Sequence, residues 1–464
     1  MRTAVSAKVP AVIETQLNRD IPDTTGEEST QTRAASHVRR HQMNYFQYRN
    51  NQLFAEDVPV GEIAQQVGTP VYVYSARTLR RHFRVMSEAF KGSDTLICFA
   101  MKALSNLSVL KLFADLGAGF DIVSAGELMR CLKAGADPAK IVFSGVGKTD
   151  EEIGAALRAG ILMINVESRP ELHRVSEVAR QMRLKAPVSL RVNPDLDPGT
   201  HPHISTGHRD SKFGIPLSQV REYYAEARGL TNLDLAGLST HIGSQITDTG
   251  PFVEAANKVA SIVRDLRADG TALKYLDLGG GLGIPYQEEP PPPAQYAAAL
   301  LAPLRGLDVK FIIEPGRVMV GNAGILLTRV LYVKETDVKR FVVVDGAMND
   351  LIRPVLYEAY HDIRPVERRE GSRLQTGDVV GPVCESGDFF ARERELPELH
   401  SGDLIAVMSA GAYGFVMASN YNSRPRAPEV IVDGARCHVV RERETFDDLI
   451  RGEKLVELRE GPDA

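Results

Sequence analysis

The 464-residue chain is 43% hydrophobic and 25% charged, the composition of an ordinary soluble protein long enough for two domains. Its net charge of -5 gives no basic footprint for nucleic acid, and no apolar run is long enough to span a membrane. The cysteines, Cys98, Cys131, Cys384 and Cys437, lie far apart without a CxxC pair, which argues against a disulfide framework and fits a cytoplasmic location.

Residues 1–42 differ in character from the rest of the chain. They scatter polar and charged residues without a sustained apolar period, a pattern typical of a disordered extension. Acidic residues such as Glu14 and Asp20 disfavour a transit peptide, which is normally short of them. Met43 is an alternative start, because the compact sequence begins at Asn44.

From Thr95 onward, short apolar runs alternate with amphipathic stretches. Eight strands are predicted at Leu96–Met101, Gly119–Val123, Ile141–Ser144, Leu162–Val166, Val188–Val192, Leu235–Thr240, Tyr275–Leu278 and Phe311–Ile313. Between them, apolar residues at three- and four-residue steps predict helices at Leu107–Leu116, Ala125–Ala134, Glu151–Ala159, Pro170–Arg183 and Phe252–Ala268. This alternation is typical of a TIM barrel, although a doubly wound open sheet would alternate in the same way.

The positions of polar residues favour the barrel. They fall at or just past the C-terminal ends of the predicted strands, at Lys102, Asp121, Ser144, Glu167, Arg191, Asn193, His241, glycines 279 to 281 and Glu314. In a barrel these strand ends converge on one mouth, where the active site is built. We therefore expect these side chains to share a site.

Lys102 ends the apolar run that begins at Leu96. An amine at a partly desolvated strand end is expected to have a lowered pKa and to attack aldehydes, forming a Schiff base. The alternative is a lysine that merely ends a strand and extends into water. From the segment alone, the second interpretation is preferred.

Two later segments suggest sites for an anionic group. The glycines of Leu278-Gly-Gly-Gly-Leu-Gly283 would let backbone amides approach a phosphate closely. Glu314-Pro-Gly-Arg317 offers an acid for a ring nitrogen and a guanidinium for phosphate or carboxylate. The alternative for the second segment is a surface ion pair after a turn.

Eight motifs together carry a family resemblance. They are CFAMKALSN around Lys102, GFDIVSAGEL around Asp121, STHIGSQ around His241, LDLGGGLG, EPGR, MNDLIRPVLYEAYH around Arg353, GPVCESGD around Cys384 and MSAGAYGFVMASNYNSRP around Tyr413. In order and spacing, from Asn44 to Leu449, the chain resembles the diaminopimelate decarboxylases. These are barrel-type (fold type III) decarboxylases that use pyridoxal 5'-phosphate (PLP), like ornithine and arginine decarboxylases. The resemblance implies decarboxylation of meso-2,6-diaminopimelate to L-lysine, the last step of lysine biosynthesis.

The resemblance also implies residue roles. Lys102 would hold PLP as a Schiff base, His241 would stack on its ring, Glu314 would pair with the ring nitrogen, and Cys384 would return a proton after carbon dioxide leaves. The residues that would bind the cofactor are Lys102, Asp121, His241, Ser244, Gly280, Gly281, Glu314, Pro315, Gly316, Arg317 and Tyr413. Those that would hold the substrate are Arg317, Arg353, Tyr357, Glu385 and Tyr413. No metal is expected.

The implied architecture is a (β/α)8 barrel, residues 75–325, followed by a β-sandwich or β-barrel domain, residues 326–464. Strand-like runs predict the second domain at Arg340–Val344, Asp378–Val383, Asp403–Met408 and Glu429–Val432. The segment 43–74, strand-like at Val71–Tyr74, is expected to join it. In the family two copies form a homodimer with shared active sites, in which the Cys384 turn completes the site of the other chain.

Some alternatives stay open. By composition alone, a cysteine such as Cys384 is more often a buried small hydrophobe, but the polar turn Glu385–Asp388 favours a site edge. The histidines 201, 203 and 208 resemble a metal cluster, yet they lack a fourth ligand, and a substrate-covering loop is the preferred interpretation.

The substrate also has alternatives. Leu104 replaces an asparagine that is typical of the family, which opens the question of altered substrate choice. The other candidate functions are decarboxylation of another basic amino acid or polyamine precursor, and a catalytically silent PLP-binding regulatory homologue. Arg353 and the turn at Cys384 weigh against the first, and the presence of both Lys102 and Cys384 weighs against the second.

Overall fold

A computed structural model describes residues 44–197, 199, 206–207 and 210–458. The predicted extension, Met43 and the histidines 201, 203 and 208 lie outside the described residues. Across these ranges, no helix combines the length and apolar character that crossing a membrane requires.

The described chain begins with a small antiparallel sheet. Its strands are β1 (Phe46–Arg49), β2 (Gln52–Ala55) and β3 (Val58–Pro59), and they are followed by a helix at Val60–Val67 and by β4 (Val71–Ser75). The turn between β1 and β2 consists of Asn50 and Asn51, with φ of 48° and 64°. Asparagine tolerates this left-handed conformation, which the tightest hairpin turns require.

Parallel strands then close into a barrel. The strands of this sheet are β5 (Thr95–Ala100), β6 (Gly119–Ile122), β7 (Ile141–Phe143), β8 (Met163–Val166), β9 (Ala186–Asn193), β10 (Ile215–Pro216), β11 (Leu233–Thr240), β12 (Tyr275–Asp277) and β13 (Lys310–Ile313). β10 only extends the edge of β9. The other eight pair in chain order, and β13 pairs with β5 to close the ring. The predicted TIM barrel is therefore confirmed.

Helices surround this barrel. They lie at Ala76–Ala89, Leu107–Asp115, Ala125–Lys133, Asp150–Ala159, Arg169–Met182, Val220–Arg228, Gly250–Ala268 and Pro293–Leu301. Every helix predicted from the apolar period is present within two residues of its expected ends. Their apolar faces and the strands enclose one continuous core in which Phe99, Phe113 and Phe120 are fully buried.

The C-terminal part forms a third sheet. Its strands are β14 (Gly324–Glu335), β15 (Arg340–Val344), β16 (Ile363–Pro365), β17 (Leu374–Val380), β18 (Phe389–Pro397), β19 (Leu404–Val407), β20 (Glu429–Asp433) and β21 (Arg436–Arg441), with short helices at Arg317–Val320, Arg353–Leu356 and Phe446–Leu449. β4 lies between β14 and β20 in this sheet. The N-terminal segment therefore joins the C-terminal β domain, as predicted.

A buried carboxylate ties this sheet to the barrel. Glu429, in β20, is fully buried and accepts hydrogen bonds from the Tyr74 hydroxyl at 2.9 Å, from Asn106 Nδ2 at 3.0 Å and from Arg441 Nε. Asn106 also caps the helix that starts at Leu107. Because Asn106 lies four residues after Lys102, Glu429 fixes the β domain against the Lys102 segment.

Replacing Glu429 by alanine is expected to lower the free energy of unfolding by about 2–4 kcal/mol, since it leaves the buried Tyr74 hydroxyl and Asn106 amide without their shared acceptor. Glu88→Ala is the matched control, because Glu88 pairs with Lys91 on the surface and such pairs contribute about 0–1 kcal/mol. Denaturant unfolding of both variants measures the difference. If both variants lose the same free energy of unfolding, Glu429 does not stabilise the contact between the β domain and the barrel.

Candidate active site

Lys102 and Asp121 form an ion pair at the barrel mouth. Lys102 lies in a single turn, Met101–Ala103, directly after β5. The register between β5 and β6 pairs Ala100 with Asp121. Lys102 Nζ is consequently 2.6 Å from Asp121 Oδ2, and the Asp121 side chain is fully buried.

The expected lowering of the Lys102 pKa is wrong. Burial by itself lowers this pKa, but the negative charge of Asp121, whose Oδ2 is 2.6 Å from Nζ, outweighs burial and raises the Lys102 pKa above its ordinary value. The amine is therefore held as an ammonium ion, with the Asp121 carboxylate placed to accept its proton. The strand-end pattern places Lys102 at the barrel mouth, as the structure does, but it gave no information about the charge that Asp121 imposes on it.

His241 follows β11 and faces the glycine turn. Its Nδ1 accepts a hydrogen bond from Gly280 N at 3.1 Å. Burial, with the positive charges of Arg191 and Lys102 nearby, holds the His241 pKa well below its usual range. The imidazole is thus neutral, and its remaining hydrogen is on Nε2. A neutral ring is suited to stacking on another flat ring.

The glycine turn after β12 has no room for side chains at two positions. A Cβ on Gly280 would lie 2.2 Å from the carbonyl oxygen of Glu314. Gly279 has φ of 66°, and a Cβ there would lie 2.5 Å from the carbonyl oxygen of Thr240. Two strand ends can approach this closely only because these residues are glycine.

Glu314 carries an unused acceptor in the buried part of the site. It follows β13, and its Oε1 is buried without a hydrogen-bond partner. Burial raises the Glu314 pKa well above its usual range, and the neighbouring carboxylates Asp121 and Asp277 raise it further. Glu314 is therefore a protonated acid that can donate its proton to a basic ring nitrogen.

One cavity brings most of the predicted cofactor residues together. Its lining residues are Ala100, Lys102, His241, Ser244, Gly281, Leu282, Glu314, Gly316, Arg317 and Tyr413. Asp121, Gly280 and Pro315 do not line this cavity, but each hydrogen-bonds to a residue that does, namely Lys102, His241 and Ala100. The cavity thus combines an amine, a neutral imidazole, a protonated acid and glycine backbone.

Tyr413 reaches this cavity from the β domain. Its backbone N donates to Ala103 O at 2.8 Å, and its φ of 54° is left-handed. Residues other than glycine rarely adopt this conformation, and those that do cluster at functional sites. The ring of Tyr413 lies beside Arg317, whose Cζ is 4.9 Å from the ring centroid.

A second cavity, of about 310 Å³, adjoins Arg317. Arg353 and Tyr357, both predicted to hold the substrate, also line it. The hydroxyl of Tyr286 accepts hydrogen bonds from Arg317 Nη1 at 3.2 Å and from Arg353 Nη1 at 2.8 Å. Two guanidinium groups at one hydroxyl make this cavity suitable for a carboxylate.

Cys384 and Glu385 differ from the other predicted residues, because they neither line these cavities nor hydrogen-bond, among the described residues, to a residue that lines them. Cys384 is exposed, and its backbone N is bonded to Asn422 Oδ1 at 2.9 Å. Glu385 accepts a hydrogen bond from the Tyr421 hydroxyl at 3.3 Å. Neither residue lines the cavity at Lys102 or the one at Arg353. Their completion of the site of a second copy stays a prediction.

Leu104 points away from the site. Its side chain is 1% exposed and belongs to the main hydrophobic core. It lines neither of the two cavities. The leucine therefore affects packing below the Lys102 turn, and the structure gives no contact through which it would alter substrate choice.

Sequence reasoning missed three residues of the site. They are Asp277, beside Glu314, and Tyr286 and His361, which both contact Arg353. Asp277 lies inside a short strand, where a charged residue fully buried in the fold is unusual. That signal was available, whereas Tyr286 lies in a loop that has no periodic pattern.

The comparisons with known proteins agree with this geometry. The family model "Pyridoxal-dependent decarboxylase, pyridoxal binding domain" matches residues 76–321. The diaminopimelate decarboxylase of Vibrio cholerae is 52% identical over 410 residues, which cover 88% of this chain and 98% of the relative. The diaminopimelate decarboxylase of Pseudomonas aeruginosa is 52% identical over 415 residues, which cover 89% of this chain and 100% of the relative.

Solved structures give the same result. A structure of diaminopimelate decarboxylase from Helicobacter pylori complexed with L-lysine superposes with a TM-score of 0.82 at 46% identity, covering 84% of this chain and 98% of that one. A second, from M. jannaschii and also in complex with L-lysine, has a TM-score of 0.85 at 36% identity, covering 89% and 98%. The similarity thus extends over the barrel and the β domain together.

Proposed function

The chain belongs to the diaminopimelate decarboxylases, a family of pyridoxal-dependent decarboxylases, and we propose that it converts meso-2,6-diaminopimelate to L-lysine and carbon dioxide. The observation that carries this proposal is the pair of neighbouring cavities, one with Lys102 and Glu314 and one with Arg317 and Arg353. We further propose a cytoplasmic location, in keeping with the four free cysteines.

The residues of the first cavity fit pyridoxal phosphate. Bound there, this cofactor supplies an electron sink for the carbon that loses its carboxylate. Lys102 provides the amine for covalent attachment, and Asp121 Oδ2 accepts the proton that the amine must lose. Glu314 Oε1 is free to meet the ring nitrogen, and Ser244, Gly281 and Gly316 line the cavity where the phosphate would lie.

The chain's own groups manage protons and water around this centre. His241 is held neutral, so it supports a flat ring without adding charge beside Lys102. Glu314 keeps its proton because burial disfavours the carboxylate. The low exposure of Asp121 and Glu314 excludes water, which strengthens both interactions.

The second cavity explains the choice of a substrate with two amino acid centres. One centre must lie at Lys102, and the other brings a carboxylate and an ammonium group that need partners. Arg317 and Arg353 offer donors for that carboxylate. A decarboxylase that forms a simple diamine would need only an acid for the distant amine, and two buried arginines would be unfavourable there.

We propose that the enzyme is a homodimer in which the turn at Cys384 completes the site of the partner. Support comes from Cys384 and Glu385, which are exposed and, among the described residues, neither line a cavity of their own chain nor hydrogen-bond to its lining residues. Asp388 shapes the turn by accepting hydrogen bonds from Met348 N at 2.7 Å and Val383 N at 2.8 Å. The thiol would then deliver a proton to the substrate carbon after carbon dioxide leaves.

Mixing two inactive variants is expected to restore activity. Lys102→Ala and Cys384→Ala homodimers each lack one component at both sites, whereas a mixed dimer has one intact site. Refolded or co-expressed in equal amounts, they should reach about a quarter of the wild-type activity if the dimer is symmetric. Co-expressing Lys102→Ala with Lys102→Arg is the control and should stay inactive. No recovery in the first mixture would contradict the shared site.

The function itself is tested by carbon dioxide release from a substrate panel. The purified protein, supplied with pyridoxal phosphate, is offered meso-diaminopimelate, ornithine, arginine and lysine at equal concentration. We expect release from diaminopimelate at a kcat/KM at least about 100-fold above the others, since each of the others leaves buried guanidinium donors unpaired or misplaced. Preferential release from ornithine would overturn the proposed substrate.

A further inference from the structure

Arg353 is held by two residues to which no role is yet assigned. Both hydrogens of its Nη1 are engaged, one with the Tyr286 hydroxyl at 2.8 Å and one with His361 Nε2 at 2.8 Å. Its Nε is buried and has no hydrogen-bond partner among the described residues. The Nε–Nη2 edge is therefore the part of this guanidinium for which no hydrogen bond is recorded among the described residues, and such an edge can bind a carboxylate with two parallel hydrogen bonds.

His361 can only accept from Arg353. A guanidinium has no acceptor, so Nε2 of His361 carries no hydrogen, and Nδ1 donates to the carbonyl oxygen of Met408 at 2.8 Å. The side chain is fully buried. Burial, and then the positive charge of Arg353, lower the His361 pKa to about 3, so the tautomer is fixed at any working pH.

Tyr286 completes the arrangement from the barrel side. Its hydroxyl oxygen accepts from both Arg317 and Arg353, which uses both of its lone pairs. Its own hydrogen remains for an acceptor in the cavity that it lines with the two arginines. Its ring also packs edge-on against His361, with centroids 5.4 Å apart. Tyr286 and His361 therefore form one rigid support.

We propose that His361 and Tyr286 are positioning residues that hold Arg353 with its Nε–Nη2 edge toward the cavity, and so make the enzyme select substrates that keep a carboxylate on the centre that does not react. The inference rests on the proposed function. Arg353 is only 4% exposed, and without its two acceptors the guanidinium would have to find others by changing its orientation. Selectivity then depends in part on His361, which does not line the cavity.

Two substitutions at His361 separate positioning from packing. In His361→Asn, the amide can still donate to Met408 O but is too short to accept from Arg353. In His361→Gln, the longer side chain places an acceptor near the position of Nε2. We expect His361→Asn to raise KM for diaminopimelate on the order of 10-fold to 100-fold, as expected for loss of a hydrogen bond to a charged group. His361→Gln should stay within about threefold of the wild type, and kcat should change little in either.

Ligand binding gives a readout that does not depend on turnover. L-Lysine retains the carboxylate of the centre that does not react, whereas 1,5-diaminopentane has no carboxylate. Calorimetry on the PLP-loaded enzyme should show that His361→Asn raises the dissociation constant of L-lysine by about the same factor as it raises KM. The dissociation constant of 1,5-diaminopentane should not change. His438→Asn, at an exposed histidine, is the matched control and should alter neither ligand.

The outcomes are distinct. Equal KM values for His361→Asn and His361→Gln, or equal weakening of both ligands, would show a packing role and overturn the proposal. If neither His361 variant folds, Tyr286→Phe is the deciding variant, because it removes only the hydroxyl group. It should weaken the binding of L-lysine but not the binding of 1,5-diaminopentane. Weaker binding of both ligands, or of neither, would overturn the proposal. Failure of the proposed function looks different, since the wild type would then release no carbon dioxide from diaminopimelate.

Discussion

Replacing Lys102 by alanine is expected to abolish decarboxylation, with a loss in kcat on the order of 10⁴-fold or more, since removing a group that bonds covalently to the reacting system costs this much in comparable enzymes. The visible absorbance of protein-bound pyridoxal phosphate should disappear with it. Lys102→Arg keeps the charge beside Asp121 but has no usable nucleophile, and it should be equally inactive. Absorbance and carbon dioxide release on the same samples measure both effects.

The matched control is Lys111→Ala. Lys111 lies on the helix that follows the Lys102 turn and pairs with Asp115 on the surface, where its side chain is 64% exposed. Its loss should leave both absorbance and turnover unchanged, because such pairs contribute little. A Lys102→Ala enzyme that retains the absorbance of a covalently bound cofactor would show that another amine holds it.

The barrel could be predicted from sequence because each of its strands is a short apolar run bounded by a polar turn. The β domain was harder, and its longest strand, Gly324–Glu335, was not predicted. That strand is buried in its first half and exposed in its second, because it pairs with three other strands in turn. No single period describes such a strand. Phe389–Pro397 was missed for a different reason, since its charged residues resemble a loop.

The sequence allowed the candidate site to be predicted only at the positions where barrel strands end. Lys102, Asp121, His241 and Glu314 follow from the barrel, which brings their positions to one mouth. The charge state of Lys102 did not follow, because it depends on which side chains become neighbours across the barrel. The contact between Tyr286 and His361 was out of reach as well, since it forms only when the β domain folds back over the barrel loops.

Glu314 is buried beside two other carboxyl groups, and this environment favours its protonated form. It is 8% exposed, and the carboxyl groups of Asp121 and Asp277 lie close enough to raise its pKa further. Asp277 is fixed by Gly279 N at 3.0 Å and Asn165 Nδ2 at 3.3 Å. Three carboxyl groups thus share a buried region with one ammonium group, and a proton must remain on at least one of them.

Glu314→Gln keeps the shape and a hydrogen-bond donor but cannot give up a proton to a ring nitrogen. We expect kcat to fall on the order of 10²-fold to 10³-fold, the range of a positioned acid, while the cofactor remains bound through Lys102. Glu314→Asp retains a carboxylic acid but places it farther from the ring nitrogen, because the side chain is shorter. Its kcat should lie between those of the wild type and Glu314→Gln. The content of bound pyridoxal phosphate, measured with kcat on the same preparations, separates loss of chemistry from loss of cofactor. If Glu314→Gln has wild-type kcat, the acid has no part in stabilising the negative charge that decarboxylation leaves on carbon.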